Sequence, residues 1–502
     1  MTSLQKKVQV GAISNIFGVV AQKIIVLCSI VIIIRSISVS EYGLYSLFIS
    51  SVIFLSNMTF GLDLIVQRYF PMVFFESPKK ALLLLTVFLL KRTALLGLLV
   101  SSVYLIDLLG IVELDRFQIP HITLGVVLGL IMAIRQLLTQ ALNAAFLEHQ
   151  VINGVLVLGE LTKLILLVVF WDNNLSNLIL IWGIGEVLMS VAIAARMMWR
   201  IKGACSNDPV KVQINDLDYR RYYNYGKYVF FASIGSYLLM VDIDYYFLSY
   251  FHNEHLVGIY AFSVKVPILL LALAPSQILH NVALPLLIQR HDSGIDLSSS
   301  KSRIITLTKF NTVFWTFLAG CLICIFQFVV GLLFDSSYLE AMYYVYIWML
   351  FFYISVLKGV YEPIARAMEF SKVYIFTVIA AFMNILLNFL LVPTFGIEGA
   401  LISSGIAITI QGGGICILVL KKLNIALQFG KTIVLLTRVI VSLFIAFSFQ
   451  SFVDDWFYGQ LIVLPVYLFI LIVIFWPRSW LTCEEIQWIR SFALPSKALR
   501  NG

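Results

Sequence analysis

The chain has 502 residues, of which 61% are hydrophobic and only 12% are charged, and its formal net charge is +8. Soluble domains average roughly 45–50% apolar and about 25% charged residues, so a water-soluble fold is excluded and the sequence predicts an integral membrane protein. Most of the positive charge lies in loops, which the positive-inside rule explains better than nucleic-acid binding does.

Fourteen apolar runs are long enough to cross a bilayer, which requires about 20 apolar residues per helix. They cover approximately 9–34, 43–67, 81–108, 121–147, 151–171, 176–199, 227–250, 256–289, 304–334, 340–365, 372–392, 397–420, 432–450 and 457–476. The first run is too long for the apolar core of a cleaved signal peptide, so it is predicted to remain as a span. The eighth contains Pro267, Pro275 and Pro285, which predict a bend because proline removes a helix hydrogen bond.

The placement of Lys and Arg predicts the orientation. The longest loop, about 201–225, ends in a basic and aromatic segment, whereas 335–339, 393–396 and 451–456 contain no Lys or Arg. The positive-inside rule therefore places 201–225 and both termini in the cytoplasm. The loops are short and carry no soluble domain, which argues against a receptor or an enzyme with a large external catalytic loop.

A short sequence echo indicates two similar halves. Gly43-Leu44-Tyr45 and Gly258-Ile259-Tyr260 lie 215 residues apart, and the same offset relates Gly11 to Gly226. Each of the latter glycines opens an apolar run. Matching spacing of short motifs and apolar runs is the pattern expected of an internal repeat.

Ionisable side chains within the apolar runs are the best functional candidates, because each costs about 2.5–3.5 kcal/mol at the bilayer centre and usually faces a cavity or a partner. A cavity lined by cations and amides suits an anionic, hydrogen-bonding substrate such as a phosphate-bearing sugar. The residues predicted to line it are Lys23, Arg135, Lys265, Gln136, Gln140 and Lys358. Structural pairs between these cations and buried carboxylates are the alternative.

The carboxylates Asp242, Asp244 and Glu186 also have two open interpretations. They are candidates for holding a coupling H⁺ or Na⁺. The structural alternatives are pairing with the cations or, for Asp242 and Asp244, solvation beside the membrane interface. No metal-ligand spacing and no nucleotide-binding loop occurs, so no cofactor is predicted.

Other charges have structural explanations. Glu160 with Lys163, and Lys358 with Glu362, have the three- and four-residue spacing of pairs on one helix face. Arg92 lies near a span end and is expected to extend toward the membrane surface.

Four stretches resemble the polysaccharide transporter family, the Wzx-type flippases for O-antigen and related repeat units. They are 35–47, 242–247 followed by 257–262, 384–393 and 394–404. This family belongs to the MOP exporter superfamily, with the multidrug-and-toxin extruders and the lipid II flippase. The resemblance implies an all-α integral membrane protein of about 14 transmembrane helices, with two pseudo-symmetric six-helix lobes around a central cavity plus two C-terminal helices. The boundaries would be 1–200 for the N-lobe, 201–225 for the cytoplasmic inter-lobe loop, 226–422 for the C-lobe, and 423–502 for the last two helices and a cytoplasmic tail.

The same resemblance implies a transporter rather than an enzyme. It would move oligosaccharide units linked to undecaprenyl diphosphate from the cytoplasmic to the periplasmic leaflet of a bacterial inner membrane, by alternating access between repeats. The units would serve O-antigen or capsule synthesis, and a polysaccharide polymerase and chain-length proteins are the implied partners. A multidrug or small-molecule extruder of the same superfamily is the alternative. A membrane-bound glycan-modifying enzyme would need a catalytic cluster that the six scattered histidines do not form.

Overall fold

A computed structural model describes residues 3–58, 60–110, 119–146, 148–206, 219–239, 242–277, 301–368, 370–425, 429–453, 459–476 and 481. Within these ranges the regular elements are all helices. The prediction of an all-α membrane protein is therefore confirmed. Parts of several predicted segments lie outside the described residues, among them 207–218 of the inter-lobe loop, 278–289 of the eighth span and 482–502 of the tail.

Sixteen α-helices follow one another along the described chain. They are α1 Ser3–Ser36, α2 Val39–Asn57, α3 Leu62–Glu76, α4 Pro78–Leu108, α5 Ile122–Phe146, α6 His149–Phe170, α7 Leu175–Cys205, α8 Tyr219–Leu238, α9 Asp242–Phe251, α10 Glu254–Leu271, α11 Lys301–Leu333, α12 Met342–Ala367, α13 Ile375–Phe395, α14 Ile397–Lys422, α15 Phe429–Val453 and α16 Gly459–Ile474. Short 3₁₀ turns, Ser336–Ala341 and Ser371–Tyr374, precede α12 and α13.

Twelve helices of the described chain are long and apolar enough to cross a membrane, and a thirteenth apolar helix, Ile462–Ile474, is shorter. This agrees with the prediction of about 14 spans. Two predicted spans are divided in the structure. The run 43–67 falls on α2 and the start of α3, and the run 227–250 falls on α8 and α9.

The break between α2 and α3 is built around a buried arginine. Phe60 and Gly61 have φ angles of 50° and 76°, a left-handed conformation that glycine adopts without steric penalty. Arg92 Nη2 donates to the carbonyl of Ser56, one of the last carbonyls of α2, which have no partner within the helix. Arg92 is only 1% exposed, so the expectation that it extends to the membrane surface is wrong.

The glutamine beside the predicted cation completes this cap. Gln136 Oε1 accepts from Arg92 Nη2 at 3.0 Å, and Gln136 Nε2 donates to Asn57 Oδ1 at 2.9 Å. A cation at the negative end of the α2 dipole is favourable. Because Gln136 holds both Arg92 and Asn57, it stabilises the C-terminal end of α2 in this structure.

The described chain forms two compact units. The first comprises 1–269 and 370–411, and the second comprises 270–369 and 412–502. In the first unit α1 packs on α6, α5 packs on α2, α3 and α7, and α13 packs on α8 and α9; in the second, α11 packs on α12, α15 and α16. The lobe boundaries implied by the sequence resemblance stay a prediction.

The two echoed glycines meet each other within the first unit. A Cβ on Gly43 would lie 2.0 Å from the carbonyl oxygen of Glu254, and a Cβ on Gly258 would lie 2.1 Å from the carbonyl oxygen of Val39. Only glycine permits so close an approach of two helix backbones. The repeat signal at Gly43 and Gly258 thus marks the point where α2 and α10 touch.

Candidate functional site

A cavity of about 290 Å³ lies in the first unit, among helices α1, α2, α5, α6, α7, α9 and α10. Its ionisable lining consists of three lysines and three carboxylates, Lys23, Lys163, Lys265, Glu160, Glu186 and Asp242. Tyrosines from α2 and α9 and a tryptophan from α7 add aromatic surface, namely Tyr42, Tyr45, Tyr245 and Trp182. Ionisable groups within membrane helices commonly mark a substrate or ion path.

Four charged groups form a closed network at one wall of the cavity. Lys163 Nζ lies 3.1 Å from Glu160 Oε1 and 2.5 Å from Glu186 Oε1. Arg135 Nη2 lies 2.7 Å from Glu186 Oε2, and the Lys163 ammonium also lies 5.2 Å from the centre of the Trp182 ring. The predicted pairing of Glu160 with Lys163 is confirmed. Two cations and two carboxylates leave this network without net charge.

Three charged groups of the lining have no such partner. Among the described residues, no opposite charge lies within 4.0 Å of the Lys23 ammonium, the Lys265 ammonium or the Asp242 carboxylate. Lys23 comes from α1, Asp242 from the first turn of α9, and Lys265 from α10. A charge in a poorly hydrated site is costly unless it is paired. Asp242 and Lys265 attract each other at longer range, but neither they nor Lys23 are held in a close ion pair, so these three groups are the ones best placed to meet a ligand.

The structure separates the predicted binding residues into groups. Lys23 and Lys265 line one cavity, while Arg135 is held by Glu186 and is not among the lining residues. Gln140 is half-buried on α5 and is not part of the lining either. Lys358 belongs to the second unit, where its ammonium lies 3.9 Å from the Glu362 carboxylate at the predicted spacing.

The predicted coupling carboxylates also occupy different surroundings. Asp242 and Glu186 line the cavity, whereas Asp244 is 0% exposed. Asp244 Oδ1 accepts from Asn388 Nδ2 at 2.7 Å, and its Oδ2 accepts from Ser404 Oγ at 2.7 Å and from the Tyr260 hydroxyl. Three donors from α10, α13 and α14 thus enclose one carboxylate.

Sequence reasoning did not assign a role to the asparagines around Asp244. Asn384 Nδ2 donates to the carbonyl of Leu238 at the end of α8, at 3.0 Å, and Asn384 Oδ1 accepts from Asn388 at 3.3 Å. Asn388 Oδ1 is buried and has no hydrogen-bond partner in the described part of the chain. The signal that could have found them is an Asn pair spaced by four residues in an otherwise apolar helix, since that spacing places both amides on one face.

A second charged cluster lies at the junction of α5 and α6, away from the cavity lining. Glu148 is buried and accepts from Arg196 Nε and Nη2 at 2.8 and 2.7 Å, and also from Arg200. Burial by itself raises the pKa of Glu148, but the hydrogen bonds and charges of Arg196 and Arg200 outweigh it, so the pKa lies below its usual value. The Arg196 guanidinium also lies 4.5 Å from the centre of the Trp199 ring, on the same helix. The ion pairs of Glu148 therefore connect the start of α6 to α7.

Comparison with solved structures places this fold. The chain is similar to the lipid II flippase MurJ in an inward closed conformation, with 15% identity, 93% of this chain and 98% of that chain covered, and a TM-score of 0.64. An inward-facing multidrug resistance MATE family transporter of the MOP superfamily matches with 11% identity, coverage of 82% and 98%, and a TM-score of 0.59. A MOP superfamily transporter from Pyrococcus furiosus Vc1, with a binding pocket of reversed polarity, matches with 13% identity, coverage of 84% and 96%, and a TM-score of 0.57.

No family model and no curated protein matches the sequence. At these identities the structural likeness establishes the fold. The chain is a multi-pass helical membrane protein with the fold of MOP superfamily transporters, and the solved proteins it resembles are flippases and transporters rather than enzymes.

Proposed function

We propose that this protein is a flippase for oligosaccharide units linked to undecaprenyl diphosphate, of the Wzx type, serving the synthesis of a surface polysaccharide such as O-antigen or capsule. The observation that carries the proposal is the pair of ammonium groups, Lys23 and Lys265, that line one cavity with no carboxylate of the described residues within 4.0 Å of either. A transporter of this kind works in the bacterial inner membrane, with both termini in the cytoplasm as the charge distribution predicts.

The chemistry of the substrate explains why two lysines are needed. A diphosphate that crosses a membrane must leave the headgroup region, and fixed cations lower the cost of moving it. Charge-assisted hydrogen bonds from ammonium groups to phosphate oxygens are roughly twice as strong as neutral ones. Lys23 lies on α1 and Lys265 on α10, so an anion held by both would bridge two helices that lie far apart in the chain.

The extent of the structural likeness also supports a flippase. The match to MurJ takes in 93% of this chain, whereas the matches to the two MOP transporters above take in 82% and 84%. The two predicted C-terminal helices lie beyond the two predicted lobes. A lipid-linked substrate brings a long hydrocarbon chain that must stay in contact with the bilayer, and additional membrane helices suit that requirement.

Ion coupling is assigned to Asp244 in this proposal. Its carboxylate accepts hydrogen bonds from the hydroxyls of Tyr260 and Ser404 and from Asn388 Nδ2, and carboxylate and hydroxyl oxygens are ligands that suit H⁺ or a hard cation such as Na⁺. Glu186 is already neutralised by Arg135 and Lys163, which makes it a structural group. Asp242 faces the cavity and is left for the substrate.

A small-molecule extruder is the second candidate. The carboxylates and aromatic rings of the cavity, Glu160, Asp242, Trp182 and Tyr245 among them, are groups that organic cations contact. The likeness to MATE transporters supports the same reading. An extruder of this type would not require Lys23 and Lys265.

A flipping assay in proteoliposomes tests the proposal. The substrate is undecaprenyl diphosphate bearing a sugar unit, and the accessibility of the sugar is measured on each leaflet. Loss of one charge-assisted hydrogen bond costs about 1.5–3 kcal/mol. Lys23→Gln and Lys265→Gln are therefore expected to lower the flipping rate at limiting substrate by roughly 10- to 150-fold.

Lys91→Gln is the matched control, since Lys91 is an exposed lysine on α4 and not part of the lining. Its rate should equal that of the wild-type protein. Full activity of the Lys23→Gln, Lys265→Gln double variant would contradict the cationic site. Uptake of a fluorescent organic cation by protein that flips no lipid-linked sugar would replace the flippase with the extruder.

A further inference from the structure

The charged groups of the cavity that are not held in close ion pairs include a carboxylate, which a binding site for phosphate alone would not need. After the closed network of Arg135, Lys163, Glu160 and Glu186 is set aside, two ammonium groups and one carboxylate remain without a partner among the described residues. The complementary ligand carries two negative charges and one positive charge. A diphosphate accounts for the two negative charges and leaves the carboxylate of Asp242 to be matched.

We propose that Asp242 is a specificity-determining residue that selects substrates whose sugar unit bears a free, positively charged amino group. The inference rests on the proposed flippase function and names the chemical class of the sugar. A protonated amine supplies the one positive charge that the leftover set requires. It also donates hydrogen bonds to a carboxylate, which can only accept when it is ionised.

The placement of Asp242 supports this role. It begins α9, and both Asp242 and Lys265 line the same cavity, so a ligand that meets the lysine also meets the carboxylate. Asp242 differs in this from Asp244, two residues further on, which is 0% exposed and satisfied by three protein donors. The adjacent aromatic rings of Tyr45 and Tyr245 offer apolar surface against which the face of a sugar ring can pack.

Electrostatic cost explains why such a carboxylate would be retained. An ionised carboxylate that is removed from bulk water without a partner is strongly destabilising, and removal of one partner from a buried pair is costly for the same reason. A substrate with an amine removes that penalty when it binds. A substrate whose amine is acetylated leaves Asp242 with only the longer-range attraction of Lys265 and is disfavoured, which is specificity by an incompletely satisfied polar group.

Two probes that differ in one group test the inference. Both are undecaprenyl diphosphates bearing the same disaccharide, one with a free amine and the other with an acetamide at the same carbon. Wild-type protein in proteoliposomes is expected to flip the amine probe at least about tenfold faster at limiting concentration, because a hydrogen bond between charged groups is involved. Asp242→Asn should abolish that preference by slowing the amine probe alone, and Asp242→Glu should restore part of it.

Asp172→Asn, in an exposed loop outside the lining, is the control for removal of one carboxylate. Each variant is first checked for an unchanged helical signal and a monodisperse elution profile, and binding of both probes is measured by quenching of tryptophan fluorescence. Equal flipping of the two probes by wild-type protein, or equal slowing of both by Asp242→Asn, overturns the amine inference and leaves the flippase standing. If the wild-type protein neither flips nor binds either probe, that result overturns the proposed function itself, and the inference with it.

Discussion

Substitution of Gly43 or Gly258 should increase access to the cavity from the predicted outer side of the membrane. Gly43 and Gly258 lie early in α2 and α10, at the ends predicted to face outward. Residues further along the same helices, Ser46 on α2 and Lys265 on α10, line the cavity. We expect the contact of the two helices at the glycines to restrict access to the cavity from the predicted outer face.

Gly43→Ala makes this contact impossible without movement of a helix. The new Cβ would lie 2.0 Å from the carbonyl oxygen of Glu254, whereas ordinary contact begins at 3.4 Å, and the obstructing atom belongs to a backbone. Overpacking of this kind costs about 1–3 kcal/mol. If the contact exists only in the closed arrangement, that cost shifts the equilibrium toward the open one by roughly 5- to 150-fold.

The assay is the labelling rate of a single cysteine placed at Ser46 in a background without native cysteines. A membrane-impermeant maleimide is applied from the predicted outer side, and the rate is expected to rise in Gly43→Ala and in Gly258→Ala. Gly97→Ala is the control, because a Cβ on Gly97 would meet nothing within 4 Å. An unchanged labelling rate in a well-folded Gly43→Ala protein would refute the argument that this contact is the outer closure.

Three further predictions concern buried charges. Arg92→Met leaves the Ser56 carbonyl and Gln136 without their donor, so the thermal midpoint in detergent should fall by the equivalent of about 1–3 kcal/mol. Lys91→Met, a change of the exposed neighbouring residue, should alter the midpoint little. Equal midpoints for the two variants would exclude the capping role of Arg92. The pKa of Glu148 is lowered in the folded protein, so its contribution to stability is present above its unfolded pKa of about 4.5 and is lost as the pH falls through the lowered value. The difference in thermal midpoint between wild type and Glu148→Gln should therefore be largest near neutral pH and shrink below about pH 4. A difference that grows on acidification would contradict the lowered pKa. Asp244→Asn should remove the dependence of flipping on a proton or sodium gradient while probe binding persists, and gradient-driven flipping that survives in this variant would assign coupling to another group.

The amino-acid sequence by itself determined that the protein is helical and membrane-embedded, because hydrophobic composition and the length of apolar runs are properties of local segments. It also singled out the intramembrane charges and the paired glycine motifs. Pairs three or four residues apart, such as Glu160 with Lys163, followed from helical geometry alone.

The tertiary structure decided which of the remaining charges are satisfied. Arg135 and Glu186 lie on α5 and α7 and meet at 2.7 Å, a contact that depends on how two helices pack and is invisible to spacing along the chain. The same packing draws Arg92 inward to the end of α2 and encloses Asp244 with donors from three other helices. Only the tertiary structure identifies the charged groups that no close interhelical pair neutralises, because such pairs depend on how the helices pack. These groups are Lys23, Lys265 and Asp242.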